Sequence, residues 1–140
     1  MPSCSQSITI NHVVDKVWDT ISNFHDMSWC PNVVTSLVPE GDLGGEEAGA
    51  RRVLNDVFHE TLIEANAADH IIRYSIDNGP PPVSSDDVSN YVGVIKLSAA
   101  EDGATLVDWS SSWDSEGDDA VEFCSGIYGA LLGDLATTLE

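Results

Sequence analysis

Residues 49–113 read GARRVLNDVFHETLIEANAADHIIRYSIDNGPPPVSSDDVSNYVGVIKLSAAEDGATLVDWSSSW, and the fold turns on this stretch. Runs rich in β-branched and aromatic residues, 50–54, 57–67, 71–76, 88–100 and 105–115, predict five successive strands. Asn55-Asp56, Ala68-Asp69 and Asp102-Gly103 mark the turns between neighbours. Links that short join antiparallel strands, so the stretch predicts a meander. Residues 78–87, NGPPPVSSDD, are the exception. Three successive prolines cannot continue a ladder, so this is a stiff loop, either a plain connector or the border of a binding site. Arg52, Glu60 and Tyr91 fall inside strand patterns where a sheet core is expected to be apolar. A buried charge is unfavourable unless it is paired or used. Either these groups face water or they line a cavity that needs them.

Upstream, residues 5–10 alternate and predict a first strand, with Asn11 as the N-cap of a helix behind it. Val14, Val17, Trp18, Ile21 and Phe24 recur at helical spacing and form one apolar stripe, on which Trp18 packs. Residues 25–29 predict a second short helix, stopped by Pro31. Residues 33–38 read as another strand, and the acidic, glycine-rich 40–49 as a loop. Downstream, the period changes. Val121, Cys124, Tyr128, Leu131, Leu135 and Leu139 repeat at three and four, which predicts one long helix over 118–139. Asp118 and Asp119 suit the positive end of its dipole. Gly126, Gly129 and Gly133 share another side with Glu122. Each interior glycine weakens a helix by about 1 kcal/mol relative to alanine. That side is either plain surface or a place where another backbone, such as that of a homodimer partner, comes close.

This order predicts an α+β fold of about seven antiparallel strands. Two short helices follow the first strand. A sheet cannot bury a whole face alone, and the terminal helix is the only large element left to cover it. A curved sheet wrapped around that helix leaves room for a cavity between them. The length of 140 residues fits one domain.

Composition narrows the partners. Net charge is −19, from five Lys plus Arg against 24 Asp plus Glu. That argues against nucleic acid and anionic membrane, keeps the chain soluble, and would also suit a high-salt habitat. No run of about 18 apolar residues is present, so no membrane insertion is expected. The start, MPSCSQSITI, lacks a basic and then apolar leader, which points to the cytoplasm. Cys4, Cys30 and Cys124 show no CxxC spacing, and His12, His25, His59 and His70 stand alone. Reduced thiols, no metal and no cofactor are the expectation.

Period two assigns the faces. Val107, Trp109, Ser111 and Trp113 share the inward side of the last strand. Tyr91, Gly93, Ile95 and Leu97 share one side of the strand before it, and Ile72, Tyr74 and Ile76 form a third inward set. Glu60 shares its side with Leu62 but also with Glu64, so its direction stays open unless a bulge intervenes. If Arg52 and Glu60 both face inward on adjacent strands, guanidinium and carboxylate meet. A partnered Glu60 keeps its charge, whereas an unpartnered one in an apolar cavity has a raised pKa and carries protons. The hydroxyl of Tyr91 would orient a ligand oxygen. Trp29, Tyr74, Ile76, Ile95, Trp109, Trp113, Phe123 and Ile127 are the expected apolar ligand contacts, with core packing as the alternative for the tryptophans.

The motifs GARRV (49–53), HETL (59–62), YSI (74–76), NYVGVI (90–95) and VDWS (107–110) resemble, in order and spacing, the START-like or Bet v 1-like (SRPBCC) superfamily. More narrowly they resemble its polyketide cyclase/dehydrase branch, as do VWDTISNF (17–24) and WCPNV (29–33). The resemblance implies a helix-grip fold and a hydrophobic small-molecule ligand, lipid- or polyketide-like. Within the branch the motif order is similar to that of plant lachrymatory-factor synthases, whose cavities carry an Arg, a Glu and a Tyr. That likeness puts those roles on Arg52, Glu60 and Tyr91, with a shorter hairpin between the first two. Three functions remain open: a non-catalytic binder, a cofactor-independent cyclase, dehydratase or isomerase working through Arg52, Glu60 and Tyr91, and an interaction module using the glycine side of the last helix. The Arg52–Glu60 pair is equally readable as a clasp that only holds two strands.

Overall fold

A computed structural model of the chain describes residues 2–139. In chain order the elements are β1 (Ser3–Ile10), α1 (Val14–Ile21), β2 (Leu37–Glu40), β3 (Arg51–Leu54), β4 (Phe58–Asn66), β5 (Ile71–Asn78), β6 (Ser89–Ala99), β7 (Thr105–Asp114) and α2 (Asp119–Thr138). A single 3-10 turn, Glu101–Gly103, joins β6 to β7. All seven strands form one antiparallel sheet in the order β1-β7-β6-β5-β4-β3-β2. The meander therefore runs from β2 to β7, and β1 returns to pair with β7. The β3–β4 turn has Asn55 and Asp56 at φ 54 and φ 61. Two successive left-handed residues match the twist of a hairpin, and Asn and Asp tolerate that conformation best after glycine.

The sheet curves around α2, as the order of elements predicts. Ala120, Cys124, Tyr128, Leu131, Leu132 and Leu135 of α2 are buried against it. From β7, Val107, Trp109 and Trp113 face the same core. Glutamine and serine stitch the edge, with Gln6 on β1 donating to the Ser125 hydroxyl on α2.

Three local expectations differ from the structure, each for a backbone reason. Helix α1 starts at Val14, with Val13 and not Asn11 at its N-cap and no side-chain cap bond. The chain leaves β1 through His12, whose carbonyl accepts the Thr105 hydroxyl at 2.7 Å, so the cap position falls later. No second helix forms over residues 25–29. Asn23 and Asp26 accept the backbone N–H groups of His25 and Ser28, both at 2.9 Å. Such side-chain bonds compete with the helical ladder, and the segment becomes a series of turns that buries Met27, Trp29 and Cys30. Strand β2 begins at Leu37 and not at Val33. The Asn55 amide takes over that stretch, accepting from Thr35 N at 2.8 Å and donating to Val33 O at 2.9 Å.

Phe24 lies beyond the end of α1 yet is buried, because its N–H bonds Gly45 O at 2.8 Å and turns the ring inward. On β4 a register shift falls between Leu62 and Glu64. Ile63 is the extra residue, and it is exposed. The bulge separates Glu60, which is buried, from Glu64, which turns out to an exposed ion pair with Arg73.

Candidate functional site

A cavity of about 270 Å³ lies between the sheet and α2. Strands β3, β4 and β5 contribute Arg52, Glu60, Tyr74 and Ile76 to its wall, β6 and β7 contribute Tyr91 and Trp109, and α2 contributes Phe123, Ile127 and Tyr128. The proline loop closes one side through Val83, which is 1% exposed. Its polar groups gather in two clusters.

The first is ionic. Arg52 and Glu60 are directly opposed on β3 and β4. Arg52 donates through Nε at 2.8 Å and Nη2 at 2.6 Å to one Glu60 oxygen, Oε1. Its Nη1 donates to Phe24 O at 2.9 Å, and its guanidinium carbon stands 3.7 Å from the centre of the Phe24 ring. These contacts hold the guanidinium over an aromatic face, where an arginine is favoured. Both side chains are about as buried as core residues, at 5% and 6% exposed. Burial pushes the Glu60 carboxyl above its ordinary value of 4.5, and Arg52 pulls it back part of the way. The pair is thus formed, yet desolvation still outweighs the attraction of the partner. Oε2 takes none of the Arg52 bonds.

The second cluster is phenolic. The chain has three tyrosines, Tyr74, Tyr91 and Tyr128, and all three line the cavity. Trp109 Nε1 donates to the Tyr74 hydroxyl at 2.9 Å. The Tyr74 and Tyr128 hydroxyls are 3.3 Å apart, and the Tyr128 hydroxyl bonds in turn to that of Tyr91. Tyr91 reaches Ser111 Oγ at 3.1 Å and Cys124 Sγ at 3.3 Å, and Ser111 reaches Cys4 Sγ at 3.4 Å. Burial raises the pKa of every phenol in the cluster, so all three stay neutral. It also pushes the Cys124 thiol up to about 11.

Gly93 makes this arrangement possible. It sits opposite Tyr74, and a Cβ there would fall 2.4 Å from the Tyr74 ring. The ring lies over the glycine, which leaves the hydroxyl free to reach Tyr128.

Of the residues expected to line a cavity, Arg52, Glu60, Tyr74, Ile76, Tyr91, Trp109, Phe123 and Ile127 are in its wall. Trp29, Ile95 and Trp113 are not; they are buried behind it. Trp113 stacks on Tyr91 with ring centres 5.3 Å apart, and Trp29 tilts against Trp109 at 6.3 Å. The two tryptophans buttress the wall residues, each set behind the ring that it packs on. Among the described residues, their two indole nitrogens are the buried side-chain atoms left without a partner. Tyr128 was readable in the sequence only as one member of an apolar stripe. Its hydroxyl was the available signal, since a buried tyrosine needs a partner for its O–H. Val83 was likewise signalled by being the one apolar residue between the prolines and Ser84.

A larger open cleft of about 640 Å³ lies elsewhere, among Asp86, Asp87, Asp114, Glu116 and Asp119. It is a solvated acidic surface. Among the described residues no group of three or more His, Cys, Asp or Glu is arranged to hold a metal ion. No helix of the described residues is long and apolar enough to cross a membrane.

A curved antiparallel sheet gripping a long C-terminal helix around an internal cavity defines a helix-grip protein of the SRPBCC class. The chain belongs to the polyketide cyclase/dehydrase and lipid transport family, whose model matches residues 1–140. Among solved structures, a protein from Nitrosospira multiformis is 43% identical, with a TM-score of 0.97 over 99% of this chain and 97% of that one. The XoxI protein of Bacillus cereus is 25% identical, with a TM-score of 0.78 over 99% of this chain and 96% of that one. A Thermobifida fusca protein at 22% identity and a TM-score of 0.81, over 97% and 91% of the two chains, shares the fold. No curated protein matches the chain.

Proposed function

We propose that the protein binds a small hydrophobic molecule in the cavity between the sheet and α2, with Arg52, Glu60 and Tyr91 as polar contacts. The observation that carries this is a mostly apolar chamber in which the ionic pair and the phenols converge from opposite elements. Size limits the ligand. A cavity of about 150 Å³ holds benzene, so one of about 270 Å³ suits a compact molecule of one or two rings rather than an intact phospholipid. Native mass spectrometry of protein purified from its source, before and after denaturation, tests this. A retained small apolar compound is expected; an empty protein that also fails to take up one- and two-ring compounds would contradict it.

A second reading has its own support. Glu60 lines the cavity and also an outer groove with Glu40, Arg51 and Asp77. A carboxyl with a raised pKa that borders both ligand and solvent is suited to move a proton. In that reading Glu60 takes a proton from a carbon beside a carbonyl and returns it, Arg52 steadies the carboxylate, and Tyr91 holds the oxygen. The reaction class is cofactor-independent isomerisation, dehydration or cyclisation. Once a substrate is in hand, Glu60→Gln separates the two: lost turnover with retained binding supports catalysis, and unchanged turnover removes Glu60 as the proton carrier.

A further inference from the structure

The phenolic cluster has a direction, and the direction implies a ligand preference. Trp109 Nε1–H can only donate, and it donates to Tyr74. Each phenol keeps its proton, because burial raises all three pKa values. One order then gives each phenolic proton an acceptor: Tyr74 to Tyr128, Tyr128 to Tyr91, and Tyr91 to Ser111, its nearer acceptor at 3.1 Å. Ser111 finishes on the Cys4 sulfur. Every hydrogen in this series has one acceptor, and every phenolic oxygen keeps a further accepting position.

The reverse order is worse at both ends. The Tyr74 oxygen would then fill both of its accepting positions with Trp109 and Tyr128, and its own buried proton would have no partner in the cluster. The series would also start from the Cys4 thiol, and S–H is a weak donor. A carbonyl ligand needs a donor, so it is served only by taking a proton out of the series or by that reversal. A hydroxyl or N–H adds a bond and disturbs nothing.

We propose that the phenolic end of the cavity is a hydrogen-bond-accepting site that selects a small ring compound carrying a hydroxyl or N–H over the ketone of the same shape. This rests on the cavity-binding reading above. It adds Tyr74, Tyr128 and Trp109 as specificity-determining residues, with Tyr128 as the link that commits the Tyr74 proton.

The test compares three probes of one shape, 1-indanol, 1-indanone and indane, by tryptophan fluorescence titration with calorimetry as a check. The alcohol is expected to bind at least about fivefold tighter than the ketone, the worth of about one net hydrogen bond. In Tyr128→Phe the Tyr74 proton is released to serve a carbonyl, so the alcohol-to-ketone ratio is expected to fall towards one. A thermal melt establishes that the variant is folded, and Tyr128→Leu provides a second break in the series. Ketone binding as tight as the alcohol, or a ratio unchanged in folded variants, would overturn the accepting site while leaving the cavity reading intact. Failure of all three probes to bind at millimolar concentration would overturn the cavity reading and this inference with it.

Discussion

Arg52 and Glu60 are the residues on which stability and function meet. A buried ion pair adds little net stability, because desolvation offsets the attraction, but each partner depends strongly on the other. Arg52→Met alone is expected to lower the unfolding free energy by about 3–5 kcal/mol, since it strands a buried carboxylate. The double change Arg52→Met with Glu60→Leu is expected to recover most of that loss in urea unfolding. A double variant as unstable as the single one would show that the carboxylate is not what the arginine compensates. The pH dependence has a definite sign. The folded-state pKa of Glu60 is raised above its ordinary value of 4.5. Its contribution is therefore fully present below that value and is lost as pH rises through the raised one. The stability of the native protein relative to Glu60→Gln is expected to fall with rising pH from about the ordinary carboxylate range upward, measured by urea unfolding at several pH values. A relative stability that rises over the same range would mean that Arg52 dominates and the pKa is depressed. Only part of this was legible in the sequence. Two ionisable residues in facing strand patterns suggested a pair, but the side taken by Glu60 depends on Ile63, the bulged residue that breaks the alternation.

At the level of elements, helix α2 shows how periodicity and surface separate. Its buried stripe follows the three-and-four spacing of Cys124, Tyr128, Leu131 and Leu135. Its glycines point the other way. No heavy atom outside the local helix backbone lies within 4 Å of a Cβ built at Gly126, Gly129 or Gly133, so no other element of the described chain makes the close approach their spacing suggested. None has a positive φ. Alanine at each is then expected to stabilise the protein by up to about 1 kcal/mol, through the helix itself and the entropy of the unfolded chain. Thermal or urea unfolding of the three single variants measures this. Destabilisation together with a shift from dimer to monomer in sedimentation would instead identify that face as an assembly surface. The remaining differences between expected and observed elements lie where side chains bond to backbone. Asn23, Asp26 and Asn55 each capture N–H groups that a helix or strand would have used. Apolar period is blind to such local competition, so residues 25–36 depart from the pattern while β3 to β7 and α2 follow it to within a few residues.

For the whole molecule, the order of elements already contained the grip of sheet on helix, because only α2 is large enough to cover the sheet. The cavity itself was less legible. It depends on which rings stop short of the centre and which pass behind it. Trp109 stops at the wall while Trp29 and Trp113 buttress it, and inward parity alone does not distinguish them. The three phenols come from three elements, β5, β6 and α2, with Gly93 making room for one ring. No local pattern in the sequence records that meeting. A small apolar ligand that enters this chamber must touch its polar groups and the Trp109 indole. Among the four tryptophans, Trp109 alone lines it. The indole region of a 15N–1H correlation spectrum, assigned and titrated with 1-indanol, is the most direct measurement. A saturable shift of the Trp109 Nε1–H signal is expected, with the Trp18 signal, half-buried beside His70, essentially unmoved. A Trp109 signal that stays in place, or one that drifts without saturation together with the Trp18 signal, would rule out specific binding in the chamber.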